Sequence, residues 1–167
     1  MNILPCLNLE DIPSVVETVT HQNVNLMKDI PLMFFDQPTN GISFVRIKAD
    51  VKSIPEELKS YIPLYNLLLP RIGTKNYSYE EFQNKLHTNS AGLSISIDAY
   101  SDINNLSIEN ENLVYEFSFL DSNMTKALSL YSELFSVPNF FDLQNLNNII
   151  KQESVKIANE IVNNFLD

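Results

Sequence analysis

Two short stretches alternate strictly, and they limit what this chain can become. In "GLSISIDAY" (92–100), Leu93, Ile95, Ile97 and Ala99 fall on one side, with Ser94, Ser96, Asp98 and Tyr100 on the other. In "LVYEFSFL" (113–120), Leu113, Tyr115, Phe117 and Phe119 point one way and Glu116 and Ser118 the other. A period of two puts successive side chains on opposite faces of a strand, so each stretch reads as a half-buried β-strand. Only the polar run "SDINNLSIENEN" separates them, which predicts that the two strands pair. Their apolar faces then need a cover, and helices must supply it.

The rest of the chain offers those helices. Ser53 stands three residues before Glu56, and Ser78 three before Glu81; both are capping-box spacings that open helices. Pro63 cannot sit deep in a helix, so the apolar run "PLYNLLLPRI" is read as a new helix that starts there and ends at Pro70 and Gly73. "YEEFQNKLHT" follows as a helix that runs out at Asn89 and Gly92. Asp121 or Ser122 is expected to cap a helix through Phe135, with Ala127, Leu128, Tyr131, Leu134 and Phe135 on one side. From Asp142 onward, Leu146, Ile149, Ile150, Ile157, Ile161 and Phe165 recur at helical spacing. Upstream, "IPLMFFDQ" and "ISFVRIKADV" are rich in strand formers, and Asn40-Gly41 between them predicts a tight turn and a β-hairpin. The fold class expected is α+β, a two-layer domain with an antiparallel sheet carrying helices on one face. Residues 1–28 read as an extended lead-in and 29–167 as the domain. The last helix meets no stop signal before Asp167, so the domain is expected to be cut short at its C-terminal end, with Ile149, Ile157, Ile161 and Phe165 exposed and open to self-association.

Composition excludes several classes of function. A length of 167 residues with 44% hydrophobic and 19% charged residues suits one globular domain. The net charge of −10, spread along the chain, argues against binding nucleic acid through its phosphates. No apolar run approaches the roughly 20 residues that cross a bilayer, so no membrane role is expected. The start of the chain carries no cluster of basic residues, and any targeting signal is expected outside it. The single Cys6 cannot form an internal disulfide, which favours an intracellular or organellar compartment.

Few residues invite chemistry. His21 and His87 are far apart and lack carboxylates at ligand spacing, so they read as solvated or capping histidines. Cys6 has no local base and reads as an inert thiol. Asp98 and Asp102, at the end of an alternating strand, read as solvent-facing carboxylates. Phosphate-binding glycine loops, nucleophile elbows and histidine metal motifs are missing from the sequence. No residue is assigned a catalytic, cofactor-binding or metal-ligating role.

A longer pattern carries further. "QPTNGISFVRIKADVKSIPEELKSYIPLYNLLLPRIGTKNYSYEEF" and "TNSAGLSISIDAYSD" together resemble the presequence protease and falcilysin branch of the pitrilysin–insulysin zinc metallopeptidases, and more narrowly the first domain of their non-catalytic C-terminal half. The resemblance implies the metallohydrolase fold of LuxS and the mitochondrial processing peptidases. It also implies a parent zinc metallo-endopeptidase whose two halves close around unstructured peptides, such as targeting peptides or globin fragments. In the catalytic half of such enzymes, a stretch like "IPHILEH" followed by "GS.KY" binds zinc through two histidines, and the intervening glutamate acts as base toward a metal-bound water. Here the matching stretch is "IPLYNLL" followed by "GTKNY", which puts Leu64 and Leu68 at the histidine places and Leu67 at the glutamate place. The implied partners are the N-terminal catalytic half of the same chain and a peptide substrate. Zinc is implied for the full-length protein and not for this fragment. The implied compartment is an organelle: a mitochondrion, a plastid-like organelle or a food vacuole. The alternative is a free-standing peptide-binding or assembly module that has this fold and no peptidase activity.

Overall fold

The computed structural model describes residues 18–27, 30–101, 105 and 109–164. Along the chain come strands β1 (Gln22–Met27), β2 (Ile30–Phe34) and β3 (Ile42–Asp50), then helices α1 (Glu56–Lys59), α2 (Ile62–Leu68) and α3 (Tyr79–Asn89). Strands β4 (Leu93–Ser101) and β5 (Glu109–Leu120) and helices α4 (Met124–Ser136) and α5 (Leu143–Asn164) complete the order. The chain forms two compact units, 1–39 and 40–167.

Among the described residues, the first unit contains one antiparallel pair, in which Val24 of β1 lies opposite Leu32 of β2. This corrects the expected hairpin between "IPLMFFDQ" and "ISFVRIKADV". Asn40 and Gly41 do take positive φ, at 54° and 79°, as an Asn-Gly turn requires. They lead into a strand that pairs elsewhere, because β2 already has β1 as its partner and β3 lies along β5.

In the second unit β5 is the central strand of an antiparallel sheet ordered β3-β5-β4. Phe117 is opposite both Val45 and Leu93, and Tyr115 is opposite both Ile47 and Ile95, so the two alternating stretches pair as expected. One layer of helices covers one face. Phe117 and Phe119 pack with Leu68, Leu69 and Ile72, with Phe82 and Leu86 of α3, with Ala127, Tyr131 and Leu134 of α4, and with Ile149 of α5. The ring of Phe117 stacks on that of Tyr131, with centroids 3.8 Å apart. A second cluster of Val51, Ile62 and Leu113, flanked by Ile95, closes the far end. The helical layer stops there. Ile97, one step further along the same face of β4, is 51% exposed, which corrects the expectation that it is buried with Ile95.

The opposite face of the sheet is held by charge pairs. Arg46 on β3 pairs with Glu116 on β5, and Lys48 Nζ reaches Asp98 Oδ2 at 2.9 Å, spanning β5 at the level of Val114.

The helix starts follow local chemistry, with two differences from the sequence reading. Ser78 and Glu81 form the expected capping box at α3. Ser53 does not cap α1; it lies in a 3-10 turn and its hydroxyl donates to the Asp50 carbonyl at 2.7 Å. α4 begins at Met124, after a 3-10 turn of Asp121–Asn123. Asp121 is diverted from capping because its carboxylate accepts from Ser43 Oγ at 2.7 Å. Ser78→Ala removes an acceptor for the Glu81 N–H and is expected to cost about 1 kcal/mol, read as a lower midpoint in urea unfolding.

α5 starts where Asp142 Oδ1 accepts from the Asn145 N–H at 3.0 Å. Leu146 and Ile149 fasten it to the core, so Ile149 does not belong to an exposed stripe as expected. Ile157 and Ile161 are exposed; Phe165 lies outside the described residues. Among the described residues no helix is long and apolar enough to cross a membrane.

Candidate functional site

The helix at issue is short because prolines bracket it. Pro63 sits in the first turn of α2, where a missing N–H costs nothing, and Pro70 lies in the 3-10 turn Leu69–Arg71 that ends the run. Its three leucines part company. Leu68 is buried in the core, Leu67 packs against that core from the side, and Leu64 is 38% exposed. Between them, the Tyr65 hydroxyl lies 3.4 Å from that of Tyr115 and its ring faces Phe140. Burial pushes the Tyr65 phenol well above its ordinary range, and the Tyr115 hydroxyl adds to this, so it stays protonated at neutral pH. Asn66 Oδ1 is buried without a hydrogen-bond partner among the described residues.

The loop after α2 is built with more care than its sequence suggests. A Cβ on Gly73 would stand 2.5 Å from the Tyr77 carbonyl oxygen and 2.7 Å from the Tyr79 nitrogen, so only glycine lets the chain double back here. Thr74 is buried, and its hydroxyl accepts from the Tyr77 N–H at 3.2 Å while donating to Glu133 Oε1 at 2.7 Å. Asn76 Nδ2 donates to the same oxygen at 3.1 Å. Backbone bonds extend the seam: Lys75 N–H donates to the Val137 carbonyl at 2.9 Å, and Asn139 N–H donates to the Gly73 carbonyl at 3.0 Å. Thr74, Asn76 and Glu133 were not singled out from sequence. No signal there could have found them, since Thr74 and Glu133 are 59 residues apart.

The other candidates remain scattered. His21 is exposed, with its ring 5.3 Å from that of Phe35 in the first unit, and His87 is exposed near the end of α3. Asp98 is ion-paired to Lys48, whereas Asp102 and Cys6 lie outside the described residues. A zinc ion would find no seat at α2: Leu64, Leu67 and Leu68 have no lone pair to give. Among the described residues, no three of His, Cys, Asp and Glu stand together in a way that could hold a metal. The arrangement packs α2 on the core and clasps its following loop to α4.

The family described as Peptidase M16-C associated matches residues 1–164. The chain belongs to that family. Among the relatives of this peptidase-associated chain, the mitochondrial presequence protease of Xenopus tropicalis is 28% identical over 158 residues, covering 95% of this chain and 15% of the relative. That of Danio rerio is 27% identical with the same coverage. Protein HypA of Clostridium perfringens is 24% identical over 158 residues, covering 95% of this chain and 16% of the relative. The resemblance to the presequence protease branch therefore extends over nearly the whole peptidase-associated chain, while the chain spans about 15% of the length of these curated relatives.

Proposed function

We propose that this chain is a non-catalytic part of a zinc metallo-endopeptidase of the presequence protease type, which degrades unstructured peptides such as cleaved targeting sequences or globin fragments. In this reading, residues 29–167 are an inactive peptidase-like domain with the LuxS and processing-peptidase type of fold. Residues 1–28 lead in from the linker between the halves, and the domain forms part of the substrate chamber wall. Its partners are the N-terminal catalytic half of the same chain and the peptide enclosed between the halves. An organelle is the proposed compartment, and the mitochondrial designation of the relatives favours that one.

One observation carries the reading. A short helix followed by the Gly73 loop carries Leu64, Leu67 and Leu68, and the resemblance of its sequence to the zinc-binding stretch of the catalytic half puts these leucines where ligands and base would stand. Zinc in the full-length protein would supply an activated water from the other half. Nothing in α2 holds the metal or moves a proton for it.

Metal analysis and peptidase assays on the purified chain test this. The chain alone should bind no stoichiometric zinc and cleave no peptide. Joined to a catalytic half and the remainder of a C-terminal half, the unmodified domain should support cleavage of short unstructured peptides. Chelator-sensitive peptidase activity in the pure chain, rising in step with bound zinc, would overturn the proposal. The second reading, a free-standing peptide-binding or assembly module, requires peptide binding by the chain without any gain on joining the two halves.

A further inference from the structure

The entry to β3 carries a reactive pair that the packing of the fold does not use. Asn40 is the one asparagine of the chain that precedes a glycine. An asparagine carboxamide stands one small ring closure away from the amide nitrogen of the next residue, and that nitrogen can attack the side-chain carbon. A side chain on the following residue crowds the approach, and glycine has none. In a folded chain the outcome then depends on what holds the two reacting groups.

At Asn40 neither group is held. Both residues of the pair are exposed. Among the described residues, the Gly41 N–H has no acceptor and the Asn40 carboxamide has no hydrogen-bond partner, although the Gly41 carbonyl accepts from the Asp121 N–H at 2.9 Å. The surroundings are open too, since a Cβ on Gly41 would meet nothing within 4 Å. Asn89–Ser90 gives the contrast within the same chain. There the Ser90 N–H donates to the Leu86 carbonyl at 2.8 Å and Asn89 Nδ2 donates to the Lys85 carbonyl at 2.8 Å, so the same ring closure would break two hydrogen bonds at the end of α3.

We propose that Asn40 is a site of spontaneous covalent modification, where the folded chain converts to isoaspartate through a succinimide. The Gly41 nitrogen bonds to Asn40 Cγ, the Cγ–Nδ2 bond breaks, and Nδ2 leaves as ammonia with the Gly41 amide proton. Water then opens the imide. Attack at Cγ gives aspartate, and attack at the main-chain carbonyl of residue 40 gives isoaspartate, whose backbone runs through Cγ and is one methylene longer. Either product adds a negative charge. The longer one displaces the Gly41 carbonyl from the Asp121 N–H, beside the Ile42–Leu120 pair that begins the β3–β5 register.

Ageing the whole chain at mildly alkaline pH, in buffer and in guanidinium, tests this, with peptide mass spectrometry that separates aspartate from isoaspartate. The rate of ammonia loss at Asn40 relative to Asn89 should be about tenfold larger in the folded chain than in guanidinium, because only the fold ties down Asn89 and Ser90. The Asp121 amide should exchange about tenfold faster in the aged chain than in the fresh one. Asn40→Gly, which accepts the positive φ, should keep the unfolding midpoint, form no product there and show no change at Asp121 on ageing. Fresh Asn40→Asp, which has the charge without the methylene, should exchange at Asp121 as the fresh parent does. An Asn40 that keeps its amide in the folded chain while reacting in guanidinium overturns the proposal. So do equal rate ratios in the two media, aspartate without isoaspartate, or an Asp121 amide unaffected by isoaspartate at position 40.

Discussion

Phe117→Asp is expected to unfold the second unit, and Ile97→Asp to leave it folded. Both positions lie on the same face of the sheet, on neighbouring strands, yet their surroundings differ. Phe117 is 6% exposed, stacked on Tyr131 and enclosed by residues of α3, α4 and α5. A carboxylate there loses the aromatic packing and has no cation within the core cluster to pair with. Removal of a buried aromatic costs about 3 to 5 kcal/mol, and an unpaired buried charge adds to it, against a total stability of about 5 to 15 kcal/mol. Ile97 lies beyond the helical layer, so a charge there keeps its water, and a change within about 1 kcal/mol is expected. Ser96→Asp, on the exposed face of β4, should be tolerated as well. Circular dichroism and urea titration of the three variants check this, with Phe117→Asp alone losing the cooperative transition.

Gly73→Ala should be nearly as damaging although it adds one methyl group. The new Cβ would meet the Tyr77 carbonyl and the Tyr79 nitrogen, both backbone atoms, and those atoms are tied into the α3 cap and the Thr74 turn. The Tyr77 carbonyl cannot yield without losing its bond from the Thr74 N–H, so a loss of about 3 kcal/mol is expected. Gly41→Ala provides the comparison. Gly41 needs its positive φ, but a Cβ there meets nothing, so only the left-handed backbone penalty of about 1 kcal/mol applies. Equal unfolding midpoints for the two variants would remove close approach as the reason for Gly73.

How far the sequence carried depended on whether the controlling interaction was local. The strict alternation of β4 and β5 announced two strands and their pairing, because a two-residue period is written into neighbouring side chains. The Ser78–Glu81 cap and the proline limits of α2 were equally plain. Ser53 and Asp121 had the right residue type and failed as caps, since nearby oxygens and hydroxyls offered competing hydrogen bonds. The Asn40-Gly41 turn was recognised as a turn and given the wrong strands to join, because the preference of β2 for β1 is a pairing choice that no local pattern encodes. Its one trace was the alternation of Asn23 and Asn25 with Val24 and Leu26. At the candidate site the three leucines were legible, and the clasp that fixes their loop was not.

That clasp also governs how α2 comes apart. Seven residues are too few to hold a helix in water by themselves, since the nucleation cost is repaid only over longer runs. Here the chain that follows α2 is sewn, through Thr74 and Asn76, to a carboxylate on α4 and, through Gly73 and Lys75, to the Val137–Asn139 corner. The helix and that distant corner therefore share one opening equilibrium. Amides of α2 should exchange at the rate of the α4–α5 connection rather than at that of α1, its neighbour in sequence, and Glu133→Ala should speed both together.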